Sequence, residues 1–461
     1  MFRIFSFVIF IAGASFALFN FRPQIVKFFA PEATVEISVK KSSQPNLSNL
    51  TFAQLLSRGE QFRAGGFLNF AIQNFAAAVQ IAPTEKTAHR NLIEAQIEMR
   101  DFSSALAATQ SALQIFKNDP DFLLAAGRIF LHQLKLKSAQ KAFAKISQHP
   151  QKNFYLGICA AADNDFVAAK KFLNSAKKEK ITEYRSKKVL RAFDEFALFP
   201  DGEELHLQLL LAKSFNELGI FELAAESAKK VVAENEKYID AHLVLGQAYF
   251  ELGKFIFAEN SFQNALKIDP TKPETLFFLG LCAEKKKDFP AAIELVEKAL
   301  ANGFSPRDEA KKKIANLNLQ DGKITDAVEN LEGVLAENSE VENFEQIVFV
   351  LLEFAGAREK ALNFAARAVE KFPTSARAKN LFGWANLENG NLNAAKTAIA
   401  DALALDSKLA AAHLNLGKIL QIENRTDAAL EKFRTAAELA GERSEVGKLA
   451  AGKIAELLDE I

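Results

Sequence analysis

Apolar and small residues recur through most of this chain with a period of 34 residues. In the stretch 239–272, Leu245-Gly246 is followed by Tyr249, Gly253, Ala258, Phe262, Ala265 and Pro270. One period later come Leu279-Gly280, with Ala292, Val296 and Ala299 in register. One period earlier come Leu211-Ala212, with Phe215, Gly219 and Ala224. Phe382-Gly383 and Leu416-Gly417 keep the same distance from each other; Ala395 and Ala402 follow the first, and Ala429, Phe433 and Ala436 the second. The spacing predicts two helices of about a dozen residues each, joined by a short turn that often carries glycine. Gly246 and Ala258 mark where the paired helices approach closely. Tyr249 and Phe262 are expected to fill the space between one pair and the next. Pro270 ends the second helix and opens the following repeat. A single pair cannot bury its apolar face, so stacked pairs supply the core and no sheet is needed.

Phe52 to Glu85 is another clear copy, with Gly59, Phe62, Gly66, Ala71, Phe75, Ala78 and Pro83. Further copies fall at 86–119, 120–149 and 150–183, and a second series starts near 205 and continues through 239, 273, 308, 342, 376 and 410. The recurring small, aromatic and proline positions resemble the tetratricopeptide repeat family from Phe52 onward. That resemblance implies an all-α fold, a right-handed superhelical solenoid of helix-turn-helix repeats. Its expected organisation is repeats one to four over 51–183, an irregular connecting helix over 184–204, repeats five to eleven over 205–443, and a capping helix over 444–461. Val446, Leu449, Ile454, Leu457 and Leu458 would cover the exposed end. The family's tryptophan in the first helix is absent. His242 and His413 stand in its place in two copies, and Trp384 directly follows Gly383.

The N-terminus breaks the pattern. Ile4 to Phe21 is an apolar run, preceded by Arg3 and followed by Arg22 and Lys27. As a helix it would span about 27 Å, close to a bilayer's hydrocarbon thickness. Residues 1–22 are therefore expected to be a transmembrane anchor, or a signal peptide cut near the small residues between Ala12 and Ala17. An anchor places the chain at a membrane through residues 4–21; cleavage exports it. Residues 23–50 read as a linker, broken by Pro23, Pro31 and Pro45.

Charge changes the picture by exclusion. Lysine and arginine number 57, as do aspartate and glutamate, so no overall field favours nucleic acid. The two cysteines, Cys159 and Cys282, rule out a disulfide framework. Each lies two residues after the glycine of its repeat, which predicts buried packing. The six histidines are scattered over the repeats. Neither a phosphate-binding glycine loop nor a His-Glu-x-x-His motif is present, so no catalytic site, cofactor, metal or small-molecule substrate is expected. Lys177, Lys178, Lys180, Arg185, Lys187, Lys188 and Arg191 form one basic cluster, read as a solvated helix face or as a contact for acidic lipid or an acidic partner.

In the resembled family, first helices line a concave groove that accepts peptides or helices. Carried onto this sequence, the groove comprises Phe250, Phe277, Lys312, Asn316, Val350, Arg377, Asn380, Trp384 and Lys418. A clamp for carboxyl-terminal tails is incomplete, because Ile347 and Leu381 stand where polar groups are needed. The expected function is a non-catalytic scaffold or adaptor, tethered at a membrane and binding peptide or helical segments of partner proteins. A secreted or periplasmic binding module and a regulator of an envelope enzyme complex are the alternatives.

Overall fold

The computed structural model describes residues 47, 50–198, 203–441 and 444–459. The apolar run 4–21 and nearly all of the linker lie outside the described residues. Among the described residues the regular elements are helices, no strand occurs, and no helix is long and apolar enough to cross a membrane.

Two compact units are present, one running to Asp288 with 301–304, the other comprising 289–300 and 305–461. The first contains α1 (Phe52–Gly65), α2 (Leu68–Ile81), α3 (Lys86–Glu98), α4 (Phe102–Ile115), α5 (Pro120–His132), α6 (Leu136–Ala144), α7 (Lys152–Ala162), α8 (Phe166–Ala176), α9 (Glu183–Phe196), α10 (Glu204–Glu217), α11 (Phe221–Glu234), α12 (Ile239–Glu251), α13 (Phe255–Ile268) and α14 (Pro273–Lys285). After α15 (Phe289–Ala301) come α16 (Arg307–Gln320), α17 (Ile324–Glu337), α18 (Val341–Glu353), α19 (Arg358–Lys371), α20 (Ala376–Glu388), α21 (Leu392–Leu405), α22 (Ala410–Ile422), α23 (Thr426–Ala440) and α24 (Glu445–Asp459). Within each unit successive antiparallel pairs stack as a solenoid. The out-of-register helix α9 lies inside the first unit, packed on α10.

Local chemistry starts and stops these helices. Thr51 and Gln54 form a reciprocal capping box at α1. Asp119 caps α5 ahead of Pro120, and Ser375 caps α20. Inside most pairs the turn contains one left-handed residue: Gly66, Arg100, Leu134, Asn164, Gly219, Gly253, Lys287, Gly322, Gly356, Gly390 or Asn424. Glycine takes this conformation without steric penalty; Arg, Leu and Lys do not.

The core follows an offset of sixteen residues. A Cβ added at Gly59 would lie 2.4 Å from Phe75, at Gly127 2.2 Å from Phe143, at Gly246 2.4 Å from Phe262, and at Gly417 2.5 Å from Phe433. These rings are fully buried. Phe262 therefore fills the space inside its own pair, and also stacks at 5.2 Å on Phe278 of the next helix. Tyr249 is only partly buried and meets Phe257 of its own pair at 5.5 Å. Both differ from the expected role of bridging pairs alone. Cys159 and Cys282 are buried as expected, and loss of hydration pushes each thiol up to about 12. At the C-terminus Ala450 and Leu457 are buried against Phe433 and Leu430, with Val446 and Ile454 beside them. Leu449 and Leu458 stay exposed, because they lie on the other face of α24.

A clasp joins distant repeats of the first unit. Glu222, at the start of α11, pairs with Arg100 and accepts a hydrogen bond from His132 Nδ1 at 2.9 Å. His132 stacks on Phe102 at 4.7 Å, and Arg100 lies over both Phe102 and Phe221. Burial pushes the Glu222 carboxyl up, but the hydrogen bonds from His132 and Arg100 outweigh it and hold the group below its ordinary value. A depressed carboxylate contributes stability above its unfolded pKa and loses it as pH falls through the folded value. Glu222→Gln should therefore cost about 2 kcal/mol at neutral pH. The gap between variant and wild type should shrink below about pH 4. Thermal melts across that range check both; a gap that persists in acid would place the effect in packing instead.

Candidate functional site

The first helices of the second unit carry polar and aromatic residues on one stripe, and the site is built there. Trp384 sits half-buried on α20, and its indole Nε1 donates to Glu388 Oε1 at 3.1 Å, one turn on. Lys418 of α22 approaches the same carboxylate at 3.9 Å. The Phe349 ring of α18 lies 6.4 Å from the indole, and Phe354 lies 5.9 Å from Phe349. Phe349 and Phe354 are 39% and 42% exposed, so water covers much of two rings that touch the tryptophan cluster.

Charged groups edge this aromatic surface. Arg377 Nε donates to Glu345 Oε1 at 2.9 Å, and its Nη1 donates to Glu342 at 3.2 Å. The Glu345 hydrogen bond, followed by the attraction of both carboxylates, drives the guanidinium pKa further up, so Arg377 is a permanent cation already committed to two acids. It is not free to grip a partner's terminal carboxylate.

Several expected groove residues lie elsewhere. Phe250 is buried against Phe255 at 5.2 Å, and Phe277 is stacked on Phe304 at 4.3 Å. First helices such as α12 and α14 are apolar on the stripe that would face a groove, and neighbouring rings close over it. Asn380 is also buried, accepting a hydrogen bond at 3.0 Å from Asn415 Nδ2. That bond ties α20 to α22 and leaves Asn380 with a structural task. Lys312 and Asn316 lie partly buried on α16, where Asn316 accepts from Gln320.

Val350 is buried for a different reason. One period before Gly383 stands Phe349, which cannot enter the space a glycine leaves between paired helices. Helix α18 is displaced by one residue: Val348, fully buried, takes the inner place and Phe349 turns outward. The extra residue is absorbed in the turn that follows, before Ala357. Glu345 and Phe349, rather than Val350, thus share the stripe of Arg377 and Trp384. A bulky residue at a position reserved for small ones was the available signal.

The histidines bind the repeats together. His242 Nε2 donates to Glu236 O and His413 Nε2 to Ser407 O, each at 2.9 Å. His89, at the same place in its repeat and likewise preceded by alanine, makes the same bond to Pro83 O at 2.9 Å. In each case the ring ties a first helix to the turn before it. Among the described residues no group of three or more His, Cys, Asp or Glu could hold a metal ion. A cleft of about 530 Å³ between two inter-repeat turns of the first unit is lined by Tyr238, Asp240, Lys272 and Glu274. Lys272 there pairs with Asp240 at 3.6 Å and with Glu274 at 3.9 Å.

Stacked antiparallel helix pairs of this kind define a helical repeat protein. Residues 243–308 and 380–443 match the family model described as tetratricopeptide repeat, a family whose members serve as protein-interaction scaffolds. The second stretch contains Asn380, Trp384, Glu388 and Lys418. No curated protein matches the sequence. Among solved structures the chain is similar to that of the APC/C hetero-tetramer Cut9-Hcn1, at 12% identity over 89% of this chain and 97% of that one, with a TM-score of 0.38. Yeast Tom70 is similar at 15% identity over 89% and 96%, with a TM-score of 0.39. MamA is similar at 20% identity over 44% and 92%, with a TM-score of 0.28.

Proposed function

We propose that this chain is a non-catalytic scaffold that holds a segment of a partner protein against the Phe349–Phe354–Trp384 surface, and that residues 4–21 tether it at a membrane. The observation that carries the binding site is the exposure of two phenylalanines beside a half-buried tryptophan, with the Glu388 carboxylate bonded to the indole and Lys418 next to it. Aromatic anchors next to polar groups are the composition of interface hot spots. A helix or extended peptide would place apolar side chains over the rings and backbone or polar groups over the rim. The tether rests on the length and flanking basic residues of the apolar run.

Peptide-display selection against the full chain tests the site. Peptides recovered this way should slow amide hydrogen exchange in 341–354 and 376–388. Recovered peptides that leave both stretches unchanged would move the site elsewhere. The tether is tested separately by washing membranes with alkaline carbonate and weighing the mature N-terminus. Retention of an uncleaved chain is expected, and a soluble chain beginning near Ser15 or Leu18 would overturn it.

A further inference from the structure

The loop from α8 into α9 differs from three turns between later repeats of the chain. At 235–238, 269–272 and 406–409 an Asn or Asp side chain accepts from the backbone two residues on, at 3.1, 2.9 and 2.9 Å, and no large apolar side chain is exposed. The α8–α9 loop instead reads Lys177-Lys178-Glu179-Lys180-Ile181-Thr182. Thr182 is fully buried; its Oγ1 donates to Ala176 O at 2.6 Å and its backbone N–H to Glu179 O at 3.0 Å. With Thr182 held inward, its neighbours are pushed out: Ile181 is 60% exposed and Tyr184 64%. The side chains of Lys177, Lys178 and Lys180 are exposed, and among the described residues none of their ammonium groups makes a hydrogen bond or a close ion pair, although the charge of Lys177 is felt by Glu183. Glu183, which could answer them, is taken by Lys187 at 2.5 Å. That bond to Lys187 holds the Glu183 carboxyl below its ordinary value, so it stays charged and occupied.

We infer that this loop rests on the headgroup region of an anionic lipid bilayer. Ile181 and Tyr184 would enter the boundary between headgroups and acyl chains, where a tyrosine keeps its ring in an apolar layer and its hydroxyl in water. The three exposed lysines would lie among the phosphates. Neither signal is strong alone, and stable attachment to a bilayer takes two. Lysines are compact charges on flexible stems, suited to a diffuse array of headgroups rather than to one bidentate partner. The proposal uses no residue of the Trp384 site and none of 4–21, so it stands whether or not those readings hold.

The test uses the full chain with phosphatidylcholine vesicles, and with vesicles in which about a third of the lipid is phosphatidylglycerol. Amide exchange in peptides covering 177–187 reads the loop directly, whatever the N-terminus does. Anionic vesicles should slow that exchange several-fold, and phosphatidylcholine alone should not. The slowing should vanish in a Lys177→Glu, Lys178→Glu, Lys180→Glu triple variant, in Ile181→Ser, and at about 1 M salt, where charges are screened over a few ångströms. All the substituted side chains are exposed and Thr182 is left in place, so the loop keeps its hold. Unchanged exchange with anionic vesicles, equal slowing by phosphatidylcholine, or slowing that survives the triple variant would each overturn the inference; the first outcome would redirect the search to an acidic protein.

Discussion

Gly246→Leu should destabilise the first unit by about 3 kcal/mol or more, among the larger costs that overpacking inflicts. Even a Cβ at this position would lie 2.4 Å from Phe262 Cε1 and 2.7 Å from Cδ1 and Cζ. Phe262 cannot retreat, because it is fully buried and stacked on Phe278. The leucine must therefore push α12 and α13 apart and break the packing that passes from one repeat to the next. Gly333→Ala is the matched control. Gly333 also lies within a helix, but an added Cβ would meet only Lys311 Nζ at 3.5 Å. Alanine there should raise stability by up to about 1 kcal/mol through helix propensity. Chemical denaturation of the two variants, followed by helix signal, checks the pair. A mild effect at Gly246 would mean that the sixteen-residue contact is not what holds α12 and α13 together.

The same contact explains how much of the fold was legible. A small residue followed sixteen places later by a large one marks the two sides of one interhelical contact, so the period alone located the pairs. Buried Cys159 and Cys282 follow from the same register. What escaped is whatever depends on more than the nearest repeat. Glu222 meets residues 90 and 122 positions away. A nearest-neighbour pattern holds no trace of such a meeting. Periodicity placed Phe250 and Phe277 on the first-helix stripe, but a stripe is not a groove. Whether rings from adjacent elements close over it depends on packing, and Phe255 and Phe304 do so. Phe349 was missed for a subtler reason: a strict count of 34 assigns it the place of a glycine, and a phenylalanine there moves the helix instead.

Trp384→Ala should weaken a bound partner segment by about 2 kcal/mol or more, roughly 30-fold in Kd. The indole is half-buried, so part of its surface already packs on Phe349 and on the core of α18 to α20. That part is lost to stability on truncation, while the exposed part is lost only to binding. Melting temperature and affinity measured on one sample separate the two. Trp384 is the single tryptophan in the chain, so its emission reports this surface without engineering. A segment covering the ring should shift the emission to shorter wavelength, because water is displaced from the indole. Phe349→Ala should reduce affinity by itself, and its effect should be non-additive with Trp384→Ala, since rings in contact share one anchor pocket. Arg377→Ala should change affinity little, because Glu342 and Glu345 already satisfy the guanidinium. If Trp384→Ala instead melts far earlier but binds its partner unchanged, the tryptophan belongs to the core and the scaffold's docking surface lies elsewhere.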